Sequence, residues 1–441
     1  MDYQQAVKKL TSINQLHLLR YYDELTIDEK NNLLCQIDII DLEALMLQQK
    51  LLQQSILQSS NEYSPFSSLP TSGNPIDFVQ GKEMIAQGLM GCLIVAGGQG
   101  TRLRINGPKG SFPVTPYEKK SLFQLFSEKV AAAGRQAKQA LPLAIMTSPS
   151  NHQETITLFE QHHFFGLNPH QVYFFSQGVL PMLDKQGNLF LKSKDMLAKG
   201  PDGNGLALHH FFRSGIWSKW HQQGVRAVNF LVIDNALADP FDAELIGNHE
   251  RSHNDITVKC ISRKNAQEKV GIIAKLKNKA VIIEYSELPE SLAGTKSDGS
   301  LIFSCANISL FCFNMDFIKK IAQNPTSMSL HKAFKATSYV NENGQLQQSI
   351  KPIAWKFETF IFDLLPIAEK VGVLLYPREQ CFSPLKNFEG EDSISTVRQA
   401  LLNNDRRVFL EATGKPYDSE SRDIPQDFYY LTPEFLREWK H

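Results

Sequence analysis

A doubly wound, mostly parallel α/β sheet is the fold class this sequence predicts, with a helical N-terminal segment before it and a small C-terminal domain after it. Three observations point there. From about residue 91 onward, short apolar runs alternate with amphipathic stretches of helical length, as strand–helix–strand units require. The first of these runs, Gly91-Cys-Leu-Ile-Val95, is continuously apolar rather than alternating, the pattern of a parallel strand covered on both faces. A glycine-rich turn follows it directly, reading AGGQGTRLRINGPKG from Ala96 to Gly110.

The elements are justified in order along the chain. Residues 1 to about 60 read as helical: Thr26-Ile-Asp-Glu29 is a capping box ahead of Leu33, Leu34, Ile37 and Ile40. Leu42, Leu45, Leu47 and Leu51 continue through a glutamine-rich helix, and a Ser/Pro/Gly/Asn stretch from Ser59 to Pro75 reads as a loop. Strands are predicted at 91–96, 142–146, 172–176, 228–233, 255–260, 281–285, 301–313 and 371–376. Helices are predicted at 122–133, 152–159 and 206–222. Several strands in succession over 270–313 predict a mixed or antiparallel extension of the sheet. The domain division that follows is 1–85, 86–370 and 371–441, and no internal repeat occurs.

Composition narrows the function classes. The 441 residues predict two or three domains, and 42% hydrophobic with 21% charged residues is ordinary for a soluble globular chain. Lys+Arg and Asp+Glu both number 46, so no global field favours a nucleic acid or a membrane surface, and an anionic ligand must be handled by local cations. The six cysteines show no C-x-x-C spacing and read as reduced, mostly buried thiols. The start, MDYQQAVKKL, has no apolar signal-peptide core, and no apolar run approaches the roughly 18 residues of a membrane span, so the expected location is the cytoplasm.

The glycine-rich turn carries the chemistry. Glycines remove Cβ atoms and let successive N–H groups point at one anion, and Arg102 and Lys109 add full positive charges to the same loop. It is not a Walker A loop, since no Gly-Lys-Ser/Thr closes it, and not a dinucleotide fingerprint, since Leu103 stands where the third glycine belongs. In an open α/β sheet, ligands bind at the C-terminal ends of the strands. Two further polar loops stand at such ends, Gln177–Pro181 and Asp234-Asn235, and all three are expected to converge on one cleft. The pairs His162-His163 and His209-His210 have no carboxylate or cysteine at ligand spacing and read as ordinary imidazoles.

AGGQGTRL followed by PKG resembles the UDP-sugar pyrophosphorylases, specifically the eukaryotic-type UDP-N-acetylhexosamine pyrophosphorylases. The likeness recurs in the family's order at FFSQGVLP (174–181), PDGNG (201–205), VIDN (232–235), IIEYSELP (282–289), FETFIFD (357–363) and FSPLKN (382–387), and runs from about residue 10 to about 415. The resemblance implies a Rossmann-like nucleotidyltransferase core and a uridylyltransferase. UTP and an N-acetylhexosamine 1-phosphate would give the UDP-sugar and pyrophosphate, with Mg²⁺. Both reactants are anions and the phosphate oxygen is itself the nucleophile, so the expected catalysis is positioning plus charge neutralisation.

Residue roles follow from the same resemblance. Gly97, Gly98 and Gly100 would hold the nucleotide through backbone amides, Arg102 and Lys109 the triphosphate, and Gln177 the uracil edge, with Gly203 beside it. Asp234 would be the Mg²⁺ ligand, a reading favoured over the helix cap that an Asp in that place also suits. Lys356 and Lys386 match lysines that contact phosphates. Asn204, Glu284 and Asn307 match residues that hydrogen-bond the hexosamine, and Phe360 and Phe362 match aromatics that wall the N-acetyl pocket. By pattern alone, two phenylalanines two apart read as one face of a core strand. Asn204 stands where glucose-specific relatives carry His, which favours an acetylated sugar, with N-acetylglucosamine the default. The competing readings are a glucose-1-phosphate or broad-range pyrophosphorylase and a nucleotide-sugar-binding protein without turnover. The expected partners are the two small-molecule substrates, with no nucleic acid and no membrane, in a monomer or weak homodimer.

Two departures from the family pattern stand out. Arg104 replaces a usual glycine; if the position needs φ > 0, this costs on the order of 1 kcal/mol and adds a third cation near the phosphates. PDGNG is followed by Leu206 and Ala207, where relatives tend to have Gly or Asp. The last stretch, about 372–441, reads as a reduced C-terminal domain.

Overall fold

The computed structural model describes residues 1–53, 63–285, 287–288, 294–324, 328–417 and 421–439. The chain gathers into two compact units, neither continuous in sequence: Met1–Ser60, Gly178–Leu206 and Ser327–Ile361 form the smaller, and Asn61–Gln177, Ala207–Thr326 and Phe362–His441 the larger.

The larger unit is built on a ten-stranded sheet. Its longer strands are β1 (Met90–Val95), β2 (Leu143–Thr147), β3 (Val172–Ser176), β4 (Ala227–Val232), β5 (Ile256–Ser262), β6 (Ile272–Leu276), β7 (Lys279–Ile283), β8 (Cys305–Asn314) and β9 (Val371–Tyr376). β1 lies at the centre of a parallel block, pairing Leu93 with Ala144 of β2 on one side and with Phe230 of β4 on the other, and β3 continues the block beyond β2. Cys92, Leu93 and Ile94 are at most 1% exposed, as a strand covered on both faces requires. β8 runs antiparallel between β4 and β5, and β9 returns parallel to β5. The antiparallel extension expected over 270–313 is the β6–β7 hairpin together with β8. The hairpin turns through Lys277 and Asn278, both at positive φ (48° and 66°), the two-residue turn whose twist matches its strands.

Two predicted helices differ in extent. The helix at 122 runs on to Ala137, capped by Ser121, whose hydroxyl accepts from the Gln124 amide. The single helix expected over 206–222 is two, Ala207–Arg213 and Ile216–Gln222, because Gly215 adopts a left-handed conformation (φ 80°) between them.

The sharpest packing contact of this unit joins helices Pro75–Ala86 and Ala243–Arg251. A Cβ on Gly81 would stand 1.7 Å from the Ala243 carbonyl oxygen, and one on Gly247 would stand 1.7 Å from that of Asp77. Each glycine thus admits the other helix's backbone. Gly247→Ala, which helix propensity alone would favour by about 1 kcal/mol, is expected instead to destabilise the fold by about 1–3 kcal/mol by forcing the backbones apart. A denaturant titration checks the sign, and a variant as stable as the native chain would show that the contact yields without cost.

The smaller unit contains the helices Tyr3–Ser12, Ile27–Asp38 and Leu42–Gln53. The predicted capping box is present: the Thr26 amide donates to Glu29 Oε2 (2.8 Å), and the Glu29 amide to Thr26 Oγ1 (3.4 Å). Leu10, Leu33, Ile37 and Leu45 close their core with Leu183, Leu189, Leu191 and Phe357 from the two later segments. A division by chain order at 85 and 370 therefore differs from the division by contact. The N-terminal helices have apolar faces that distant segments complete, helix Pro75–Ala86 lies in the larger unit, and β9 is a strand of the main sheet. Residues 54–60 of the predicted helical segment, and 59–62 of the predicted loop, lie outside the described residues. Among the described residues, no helix is long and apolar enough to cross a membrane.

Candidate functional site

Beyond β1 the chain folds back on itself. The Lys109 amide donates to the Gly98 carbonyl (3.0 Å) and the Gly100 amide to that of Gly107 (3.0 Å), around the single turn Thr101–Leu103. The buried Asn151 clamps the start of the loop from beside β2, its amide nitrogen donating to the Ala96 carbonyl at 3.1 Å. The amides of Gly97, Gly98 and Gln99 meet no acceptor among the described residues. Consecutive donors left unspent at the C-terminal end of a central strand form an anion-binding concavity. Arg102 stands exposed on the turn beside them.

The structure brings Gln177 to this loop. It follows β3, its amide donating to the Thr147 carbonyl (2.9 Å), and it is 8% exposed. A Cβ on Gly97 would stand 2.9 Å from the Gln177 side-chain nitrogen, so the missing side chain at 97 is the space the Gln177 amide fills. That amide has no hydrogen-bond partner among the described residues, leaving a donor and an acceptor for the edge of a base.

The turn after β4 supplies the carboxylate. Asp234 Oδ2 lies 3.4 Å from Lys109 Nζ, with both side chains largely buried. The neighbouring Asn235 is fully buried and spends its amide on a distant segment: Nδ2 donates to the Cys381 carbonyl (2.8 Å), and Oδ1 accepts from the Ser383 amide (2.9 Å). The Leu385 amide donates to the Asp234 carbonyl (2.7 Å), which sets Lys386 beside this turn. The Lys386 ammonium itself sits 3.3 Å from Asp392. Below the turn, the buried Lys129 ammonium donates to the carbonyls of Ala236 and Ala238, both at 2.8 Å. Burial pulls Lys129 down to about 8, against the opposing charge of Asp239. Asp239 in turn accepts from the Tyr430 hydroxyl. Farther along the same unit, burial pushes Asp405 up to about 7, although the Tyr429 hydroxyl bonded to it works the other way.

The hexosamine candidates divide between the units. In the larger, Glu284 and Asn307 flank Gly271: a Cβ there would lie 3.4 Å from Glu284 Oε1 and 3.6 Å from Asn307 Cβ. The Asn307 side-chain oxygen Oδ1 is engaged, accepting from the Ser309 amide (3.0 Å) and bracing that residue at φ 55° beside a slip in the β5–β8 register. Phe362 is a core residue, 5% exposed. In the smaller unit, Gly203 (φ 89°) lies against Thr359, where a Cβ would stand 2.2 Å from the Thr359 carbonyl oxygen. Asn204 Oδ1 accepts from the Ile361 amide (3.1 Å), and the Phe360 ring centre lies 4.7 Å from that of His331. Lys356 Nζ is 2.6 Å from Glu358 Oε1. The two phenylalanines are not one face of a strand, because the chain turns helical at Ile361–Leu364. Ser286 and Pro289 of the IIEYSELP motif lie outside the described residues.

Both departures can now be placed. Arg104 does adopt the left-handed conformation, φ 61° and ψ 30°. Its guanidinium, expected as a third cation near the phosphates, is met by side chains of a distant segment. It lies over the Phe388 ring at 4.3 Å and 3.6 Å from Glu389. Ala207, in place of Gly or Asp, is buried and begins its helix.

Asn151 and Lys129 had no role in the reading of the sequence, and Asn235 was placed at the cleft there without a role of its own. Asn235 stood inside a quoted motif. Lys129 left a visible signal, a charge on the otherwise apolar face of helix Leu122–Ala137 among Phe126, Val130 and Ala133.

Unspent loop amides, a carboxylate and lysines at the C-terminal ends of parallel strands define a phosphate-handling α/β protein of the nucleotide-binding type. A family model for UTP–glucose-1-phosphate uridylyltransferase matches residues 69–425, and the chain belongs to that family. It is 34% identical to the UDP-N-acetylglucosamine pyrophosphorylase of Saccharomyces cerevisiae, over 73% of this chain and 70% of that one. It is 30% identical to the UDP-N-acetylhexosamine pyrophosphorylase-like protein 1 of Homo sapiens, over 95% and 87%. Among solved structures it superposes on the uridine diphosphate N-acetylglucosamine pyrophosphorylase of Trypanosoma brucei, determined with an inhibitor, with a TM-score of 0.79 and 25% identity over 93% of this chain and 86% of that one.

Proposed function

We propose that this chain transfers the uridylyl group of UTP to an N-acetylhexosamine 1-phosphate, N-acetylglucosamine 1-phosphate first, and releases pyrophosphate. The observation that carries the reading is the Lys109–Asp234 pair, 3.4 Å apart, next to a loop with three unspent amides. The names of the relatives support the sugar.

In this reading the sugar phosphate oxygen attacks the α-phosphorus, and the bond to the bridging oxygen of pyrophosphate breaks. No protein base is needed, because the nucleophile is already an anion. The amides of Gly97 and Gly98 hold the triphosphate, while that of Gly100, expected to join them, is spent on the Gly107 carbonyl, and Gln177 pairs with the uracil edge. Arg102 and Lys109 neutralise the charge that gathers on the leaving pyrophosphate. Lys356 and Lys386 serve the phosphates, Gly203 lies by the uracil, and Asn204, Glu284, Asn307, Phe360 and Phe362 serve the hexosamine. Asp234 fits Mg²⁺ as a partly exposed carboxylate beside the loop, since Mg²⁺ needs only one or two carboxylates when phosphate oxygens and water complete its shell. When bound, the ion would supply further neutralisation of phosphate charge. The enzyme is read as cytoplasmic, a monomer or weak homodimer acting on small molecules alone.

Pyrophosphate release with UTP, Mg²⁺ and a panel of sugar 1-phosphates tests this. Turnover is expected with N-acetylglucosamine 1-phosphate at a kcat/KM at least about 10-fold above that with glucose 1-phosphate, the discrimination a well-placed pocket contact gives. Preference for glucose would overturn the sugar assignment. Binding of UDP-N-acetylglucosamine without turnover on any sugar would overturn the catalytic one.

A further inference from the structure

We propose that Asn235 is a positioning residue that sets Lys386 at the reaction centre, and this rests on the uridylyltransferase reading above. Asn235 is 0% exposed, and its side chain makes two bonds to a single distant segment, to the Cys381 carbonyl at 2.8 Å and from the Ser383 amide at 2.9 Å. The bond from the Leu385 amide to the Asp234 carbonyl, 2.7 Å, extends the same seam by one more step. The next residue is Lys386. The dipeptide thus faces two ways: the Asp234 side chain meets Lys109, while Asn235 fixes the backbone from which Lys386 projects.

Only an amide serves here. It must donate to one backbone group and accept from another, and a buried polar group with one bond missing is costly. Aspartate at this place would set a carboxylate oxygen against the Cys381 carbonyl with nothing to donate. Leucine would leave both backbone groups unpaired. Among the described residues the Asn235 side chain makes no hydrogen bond to Lys109, to the Asp234 carboxylate or to the loop; both its bonds are to the 381–383 segment, and that is where its effect is expected.

A double-mutant cycle on the full chain tests this, using Asn235→Asp, Lys386→Ala and the two combined. Pyrophosphate release, the Mg²⁺ concentration for half-maximal rate and the thermal unfolding midpoint are read for each. Asn235→Asp is expected to lower kcat/KM by about 10- to 100-fold, the scale on which a misplaced group loses its effect. The combined variant should be no slower than the slower single one, and the Mg²⁺ requirement should not move. If Asn235→Asp fails to fold, Asn235→Ala, which brings no repelling carboxylate, takes its place in the cycle. Losses that multiply in the combined variant would overturn the proposal, as would a raised Mg²⁺ requirement. A Lys386→Ala enzyme near the native rate would also overturn it, while leaving uridylyl transfer by the unaltered protein to stand on the substrate panel.

Discussion

Asp234→Ala is expected to lower the rate of UDP-sugar formation by about 100- to 1000-fold, the scale seen when one group that stabilises transition-state charge is lost. The fold should survive the change. The carboxylate's ion-pair partner is Lys109 at 3.4 Å, the aspartate side chain 24% and the lysine side chain 12% exposed, so removing the carboxylate opens the ammonium to water rather than sealing a charge in the core. The turn itself is held by backbone and by neighbours: the Leu385 amide bonds to the Asp234 carbonyl, and Lys129 to those of Ala236 and Ala238. Activity should therefore fall while the unfolding midpoint stays put. Asp234→Asn separates shape from charge. It keeps the size of the side chain but not the anionic oxygen that a hard cation prefers, so it should be nearly as slow as the alanine variant and should require more Mg²⁺ for half-maximal rate. Near-native rates in either variant, measured as pyrophosphate release against Mg²⁺ concentration, would remove Asp234 from the metal's shell.

What could be read in advance was local. An apolar run predicts a strand from its own residues, and β1, β3 and β9 fall within a residue or so of their expected ends, β1 of the three being buried along nearly its whole length. The glycine-rich loop was legible as a turn from its own glycines, whereas the left-handed position that Arg104 occupies was suggested only by the glycine the resembled family carries there. What escaped depends on distant partners. Nothing near residue 10 says that Leu183 and Phe357 complete its core. Nothing near Arg104 says that Phe388 takes its guanidinium, and so the added charge was assigned to the phosphates. Asn235 shows the same limit inside a motif already quoted, since an asparagine after a strand gains a role only when the segment at 381–383 is seen bonded to it. The two units follow contact rather than chain order, since the segments 178–206 and 327–361 join the N-terminal helices.

Lys109→Ala should also cost about 100- to 1000-fold in turnover, but with a different signature. Its backbone amide closes the loop on the Gly98 carbonyl, and alanine keeps that bond, so the loop is expected to hold its shape. What goes is a single cation with two duties. It balances Asp234 in the structure; in the proposed reaction it would then face the pyrophosphate, whose charge grows as the bond to the α-phosphorus breaks. Losing the first duty leaves Asp234 without its neighbouring positive charge, which favours a divalent ion there, so the Mg²⁺ concentration for half-maximal rate should stay level or fall, opposite to its rise in Asp234→Asn. Losing the second slows the step itself. Lys109→Arg keeps the charge but spreads it over a planar fork, and should recover the rate to within about 10-fold of native if bulk charge is what matters. A Lys109→Ala enzyme that keeps its rate would place the pyrophosphate elsewhere. One that is slow only at low Mg²⁺ would mean that the lysine serves chiefly to hold Asp234 in position.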